Sequence, residues 1–194
     1  MLSHLTGIVF DLDGTLVDSA LDFVAMRAET GCPEDVGLLE HIHSLESPAQ
    51  RRAAQAVIHH YEMIGAQQAT WMPGAAELLQ AIRAAGMPMG ILTRNSREAA
   101  SITLEQLNAP DMPLIAREDA RPKPDPDGLL QFAHRWRKPA SELAYVGDFR
   151  FDMEAARSAG MTAVLYLQAD NIAYADQADL AFSHFEELNT WLAL

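Results

Sequence analysis

Two carboxylates stand two residues apart in Asp11-Leu12-Asp13-Gly14-Thr15, directly after the apolar run Gly7 to Phe10. A second acidic pair follows another apolar run, in Gly147-Asp148 with Asp152 one helical turn further on. Thr93-Arg94-Asn95 closes a third run, and Arg121-Pro122-Lys123-Pro124-Asp125-Pro126 opens the segment that leads to Leu143. Three carboxylates brought together without a cation repel one another, so their convergence implies raised pKa values or a bound metal. Donors that are all oxygen favour a hard ion, and Mg2+ suits one or two carboxylates completed by water and substrate phosphate. Thr93 with the amides after it, and the ammonium of Lys123, would hold phosphate oxygens and offset charge in a transition state.

Such convergence needs a fold that gathers strand ends. Short apolar runs alternate with longer segments of helical period, the pattern of an α/β, doubly wound, Rossmann-like parallel sheet. The strand-like runs are Gly7 to Phe10, Met87 to Leu92, Pro113 to Ala116, Leu143 to Val146, Ala163 to Leu167 and, as an edge, Leu180 to Phe182. Helical spacing covers Gly74 to Ala85, Ser96 to Leu107, Asp127 to Arg137 and Asp152 to Ala159, with Gly86 and Gly160 as stops. The segment 19–72 carries no strand-like run and reads as helices joined by turns at Gly31 to Pro33 and Ser47 to Pro48. The expected organisation is an α/β catalytic core formed by 1–18 and 73–194, with a small helical cap, 19–72, above the carboxyl ends of the strands where open α/β sheets bind ligands.

Composition narrows the partners. With 27 acidic against 14 basic residues the net charge is -13, which disfavours nucleic acid and anionic membrane surfaces as partners. Arg51 with Arg52, and Arg135, Arg137 and Lys138, read as solvated helix faces. Cys32, the single cysteine, sits in a turn-like sequence without an adjacent base and is expected to be structural in a reducing compartment. The first apolar run is too short for a signal-peptide core and no stretch approaches a membrane span, so the expected location is cytoplasmic. His41, His43, His59 and His60 form no Zn motif, and Trp71-Met72 is expected to pack at the return to the core.

Asp11-Leu12-Asp13-Gly14-Thr15-Leu16-Val17-Asp18-Ser19 resembles the first motif of the haloacid dehalogenase superfamily. Thr93, Lys123, and Gly147-Asp148 with Asp152 fall where its second, third and fourth motifs should, so the resemblance spans strand one to strand five. It implies a Mg2+-dependent phosphatase acting on a small phosphorylated metabolite. Asp11 is then the nucleophile that forms an aspartyl-phosphate, Asp13 the general acid/base, and Lys123 a catalytic and phosphate-binding cation. The presence of Asp13 favours phosphoryl transfer over dehalogenation, since relatives that remove halide lack it. By the same resemblance the metal is held by the Asp11 carboxylate, the Asp13 carbonyl and Asp148. Asp152 supports it through the metal's water shell or by orienting neighbours, and Thr15 steadies the loop.

The helical insertion is similar to the cap of the phosphoglycolate phosphatase-like subgroup but shorter, which would leave the site more open. Arg94 departs from the Asn that many relatives carry; it would either clamp a carboxylate or second phosphate of the substrate, or face solvent. Two rival functions are carried forward. A phosphomutase acting on a sugar phosphate needs a water-excluding cap, and a non-catalytic phosphate-ligand binding protein could dispense with Asp13. The oligomeric state is left open by the sequence.

Overall fold

The computed structural model describes Leu2 and residues 4–194. Strand β1 (Gly7–Phe10) is buried at all four residues, which is why its sequence is a continuous apolar run without polar alternation. β2 (Val17–Asp18) follows, then three helices, α1 (Phe23–Thr30), α2 (Leu38–Ser44) and α3 (Pro48–Gln68). Asp22 caps α1 by accepting from the Ala25 amide, Gly31 ends it, and Pro48 occupies the first turn of α3. β3 (Thr70–Trp71) then pairs antiparallel with β2, a two-strand ribbon that closes the base of the helical insertion.

The remainder alternates as the sequence predicts. It comprises α4 (Ala75–Ala84), β4 (Met89–Leu92), α5 (Arg97–Gln106), β5 (Leu114–Ile115), α6 (Asp127–Trp136) and β6 (Leu143–Gly147). α7 (Arg150–Ala159), β7 (Thr162–Tyr166), β8 (Leu180–Phe182) and α8 (Phe185–Leu192) complete it. The six-stranded sheet runs β5-β4-β1-β6-β7-β8 with every pair parallel, and β8 is the expected edge. The β2–β3 ribbon, α8 and two short 3-10 segments, Ala140–Glu142 and Ile172–Gln177, have no counterpart in the sequence pattern.

Side chains alternate between the two faces of the sheet with period two. Ile8 and Phe10 enter one core with Leu79, Ile82 and Phe185, whereas Val9 enters the other with Leu129, Phe132 and Tyr145. Phe132 is fully buried, and cutting such a side chain to Ala costs about 3–5 kcal/mol. Trp71 and Met72 pack against the first core, and Trp71 Nε1 donates to the Leu107 carbonyl at 3.3 Å. β1 is flanked by β4 on one side and β6 on the other, so the strand order reverses there. That reversal opens a crevice at the carboxyl ends of β1, β4 and β6. Among the described residues no helix is long and apolar enough to cross a membrane.

Candidate active site

Asp11 directly follows β1, Thr93 follows β4, and Asp148 follows β6, so three adjacent parallel strands deliver three polar groups to one place. All of them line a cleft of ≈ 730 Å3, together with Asp13, Lys123 and Asp152. Lys123 comes from the loop before α6 and is 4% exposed, so its charge is offset chiefly by protein groups. Its Nζ donates to Asp11 Oδ1 at 2.7 Å, to Asp152 Oδ1 at 2.6 Å and to the Tyr145 hydroxyl at 2.8 Å. Those three bonds use all three ammonium protons. In this arrangement a phosphate oxygen would reach Lys123 only by exchanging with one of its present acceptors.

Asp152 sits in the first turn of α7. Its Oδ1 receives Lys123 and the Tyr145 hydroxyl, while its Oδ2 accepts from the Phe149 amide at 2.9 Å. It therefore orients Lys123 and the start of its own helix. Gly147 makes this possible, because a Cβ at that position would lie 2.3 Å from Asp152 Cβ. Gly14 serves the neighbouring carboxylate: its φ of +81° suits glycine, and a Cβ there would come within 2.5 Å of Asp148 Oδ2. Thr15 Oγ1 donates to Asp148 Oδ1 at 3.1 Å.

Asp11, Asp148 and Asp152 each offer a carboxylate oxygen within 4.8 Å of the others. The Asp13 side chain is not part of this group; the expectation for Asp13 concerned its carbonyl. Burial, the repulsion of Asp152 and a smaller opposing pull from Lys123 bring Asp148 from 3.8 up to about 7. Burial likewise pushes Asp11 well above the carboxylate range against the attraction of Lys123, and burial raises Asp13. For Lys123, burial alone would lower the pKa, but Asp11 and Asp152 outweigh it and raise it. A buried, all-oxygen cluster with raised carboxylate pKa values is deficient in positive charge. Its donor set fits a divalent metal.

Asp13 Oδ2 accepts from Asn95 Nδ2 at 3.1 Å, whereas its buried Oδ1 has no hydrogen-bond partner. Thr93 Oγ1 accepts the Asn95 amide at 3.0 Å. Arg94 is engaged within the chain instead of facing solvent. Its NH2 binds both oxygens of Glu40, on α2, at 2.7 and 2.6 Å, and its NH1 donates to the Lys123 carbonyl at 3.0 Å. A second bidentate pair joins Arg117 to the buried Glu62 of α3 at 2.6 and 3.1 Å.

Several supporting residues were not singled out from the sequence. Tyr145 is hidden in an apolar strand run, and the sequence assigns no role to Asn95 beside Thr93. Asn171 donates to the Asp148 carbonyl at 2.8 Å, and Gln168 donates to the Gly14 carbonyl at 2.8 Å, so the loop after β7 braces both acidic loops. No residue pattern in that loop announces this.

Known proteins resemble this chain in sequence and fold. The family model for haloacid dehalogenase-like hydrolases matches residues 5–160. The chain is 31% identical to a phosphoglycolate phosphatase of Chromobacterium violaceum, over 96% of each chain. It is 31% identical to an N-acetylmuramic acid 6-phosphate phosphatase of Pseudomonas aeruginosa, over 81% of this chain and 79% of that one. The crystal structure of a hydrolase from Pseudomonas syringae superposes with a TM-score of 0.79 at 26% identity, covering 97% of this chain and 98% of the other. Motif order, sheet topology and these similarities agree: the chain belongs to the haloacid dehalogenase-like hydrolase family.

Proposed function

We propose that the protein is a Mg2+-dependent phosphatase that hydrolyses a small phosphate monoester through an aspartyl-phosphate on Asp11. The observation that carries this reading is the placement of Asp11. Its Oδ1 is held by Lys123 at 2.7 Å at the floor of the cleft, with Asp148 beside it. The other oxygen, Oδ2, takes no protein hydrogen bond among the described residues. A carboxylate anchored through one oxygen presents the other for attack on phosphorus, which splits one displacement into two easier ones. The relatives named as phosphatases support the same reaction class.

Asp13 lies two residues on and is pushed up by burial, so it can deliver a proton to the departing alkoxide and afterwards take one from water. The Thr93 hydroxyl and the amides after it would receive the phosphoryl oxygens. Lys123 neutralises Asp11 and keeps its carboxylate aimed into the cleft. Mg2+, held by Asp11, Asp148 and the Asp13 carbonyl, would offset charge on the transferring phosphoryl group. The helical insertion, α1 to α3, acts as a cap, and Glu40 and Glu62 tie it to the core through Arg94 and Arg117.

The test is phosphate release from an aryl phosphate. Activity is expected with Mg2+, none with EDTA, and recovery on adding Mg2+ back. Turnover that persists in EDTA would remove the metal from the reaction.

A further inference from the structure

Five basic side chains line the cleft, and four are engaged within the chain. Lys123, Arg94 and Arg117 meet carboxylates, and Arg27 donates to the carbonyls of Pro33 and Val36 at 2.6 and 2.7 Å. Arg150 differs. Among the described residues it joins no ion pair, and its Nε is buried without a hydrogen-bond partner. Asp18, Asp35 and Asp170 line the same cleft, yet none comes within ion-pair distance of it.

Aromatic rings hold this guanidinium in place. Its carbon lies 4.9 Å from the Phe151 ring centroid and 5.8 Å from that of Phe149. Stacking fixes the plane of an arginine while leaving its edge N–H groups free, and that edge matches a carboxylate or phosphate in two-point fashion. A buried donor without an acceptor is costly, and among the described residues no protein group accepts from the terminal nitrogens of this guanidinium either. Arg150 lines the same cleft as Asp11, Thr93 and Asp148. A cleft of ≈ 730 Å3 extends well beyond a phosphoryl group.

We propose that Arg150 binds a second anionic group of the substrate, a carboxylate or a second phosphate, so that the preferred substrates are small phosphate monoesters whose non-transferred part is also anionic. This rests on the phosphatase reading above for the position of the first phosphate. Arg94, quenched by Glu40, leaves Arg150 as the cation available for that end.

Binding decides it independently of turnover. Phosphoglycolate, its one-carbon-longer homologue and ethylene glycol bisphosphate are titrated calorimetrically against ethyl phosphate, with Mg2+ present, into Asp11→Asn protein and into Asp11→Asn carrying Arg150→Gln or Arg150→Lys. At least one doubly anionic ester should bind more tightly than ethyl phosphate. Arg150→Gln should shrink that preference about 10- to 100-fold, the loss for a hydrogen bond to a charged group, and Arg150→Lys should retain part of it. Which homologue or bisphosphate gains most identifies the second group. An unchanged preference in Arg150→Gln, an equal loss for all esters, or no preference in the parent overturns the proposal. Wild-type protein that releases phosphate from none of these esters sinks the phosphatase reading instead, while the titrations still decide the role of Arg150.

Discussion

With Asp11 on one side and Asp152 on the other, the Lys123 ammonium offsets two buried carboxylates at once. Removing it leaves both without a counter-charge, so Lys123→Met should lower unfolding stability by about 3–5 kcal/mol in urea titrations as well as abolish activity. A loss of activity with unchanged stability would show that the ammonium is not structurally needed. The pH response follows from Asp148, which titrates near 3.8 in the unfolded chain and at about 7 in the folded, metal-free protein. Between those values the folded state binds the extra proton, so stability falls as pH rises. Asp11 and Asp13, also raised, act in the same direction. In EDTA the protein should therefore melt at a higher temperature near pH 5 than near pH 7.5, and Mg2+ should stabilise it more at the higher pH. Equal melting temperatures with and without Mg2+ near pH 7.5 would contradict a cation site at these carboxylates.

At the scale of elements, the strands and the acidic loops that follow them were legible because a buried parallel strand is a short apolar run with an abrupt polar end. Gly7–Phe10 and Leu180–Phe182 were read to the residue. Asp11, Thr93 and Asp148 could be found because each stands at such an end. The partners across elements could not be found this way. Glu40 and Glu62 lie on helices whose faces are ambiguous in sequence, so the clasps to Arg94 and Arg117 appear only when α2 and α3 are placed against the core. Tyr145 looks like any apolar strand residue until its hydroxyl is seen between Lys123 and Asp152. The β2–β3 ribbon is two residues a side, too short to carry a period. Two expectations belong at this scale. Glu40→Gln should speed amide hydrogen exchange across α2 while leaving β1 and β6 protected, and uniform protection in both proteins would show that the clasp does not hold α2. Gly147→Ala should displace Asp152 and cut turnover at least tenfold with the fold retained by circular dichroism; wild-type turnover would mean that the contact at 2.3 Å is relieved without consequence.

For the molecule as a whole, strand order ties chemistry to topology. The chain lays β4 and β5 on one side of β1, then crosses back to lay β6, β7 and β8 on the other, and Asp11, Thr93 and Asp148 collect at that reversal. Charges separated by 112 residues, Asp11 and Lys123, meet at 2.7 Å because of it. The insertion hangs between β2 and β3, and its residues Leu21, Met26 and Glu62 line the same cleft as Asp11. The most direct measurement is to mix the protein with Mg2+ and an aryl phosphate, quench in acid within the first turnover, and map the phosphorylated peptide by mass spectrometry. A single phosphoryl group on the peptide carrying Asp11, absent from Asp11→Asn, is the expected result; phosphate release that continues in Asp11→Asn, or a phosphoryl group on another residue, would contradict the aspartyl-phosphate route.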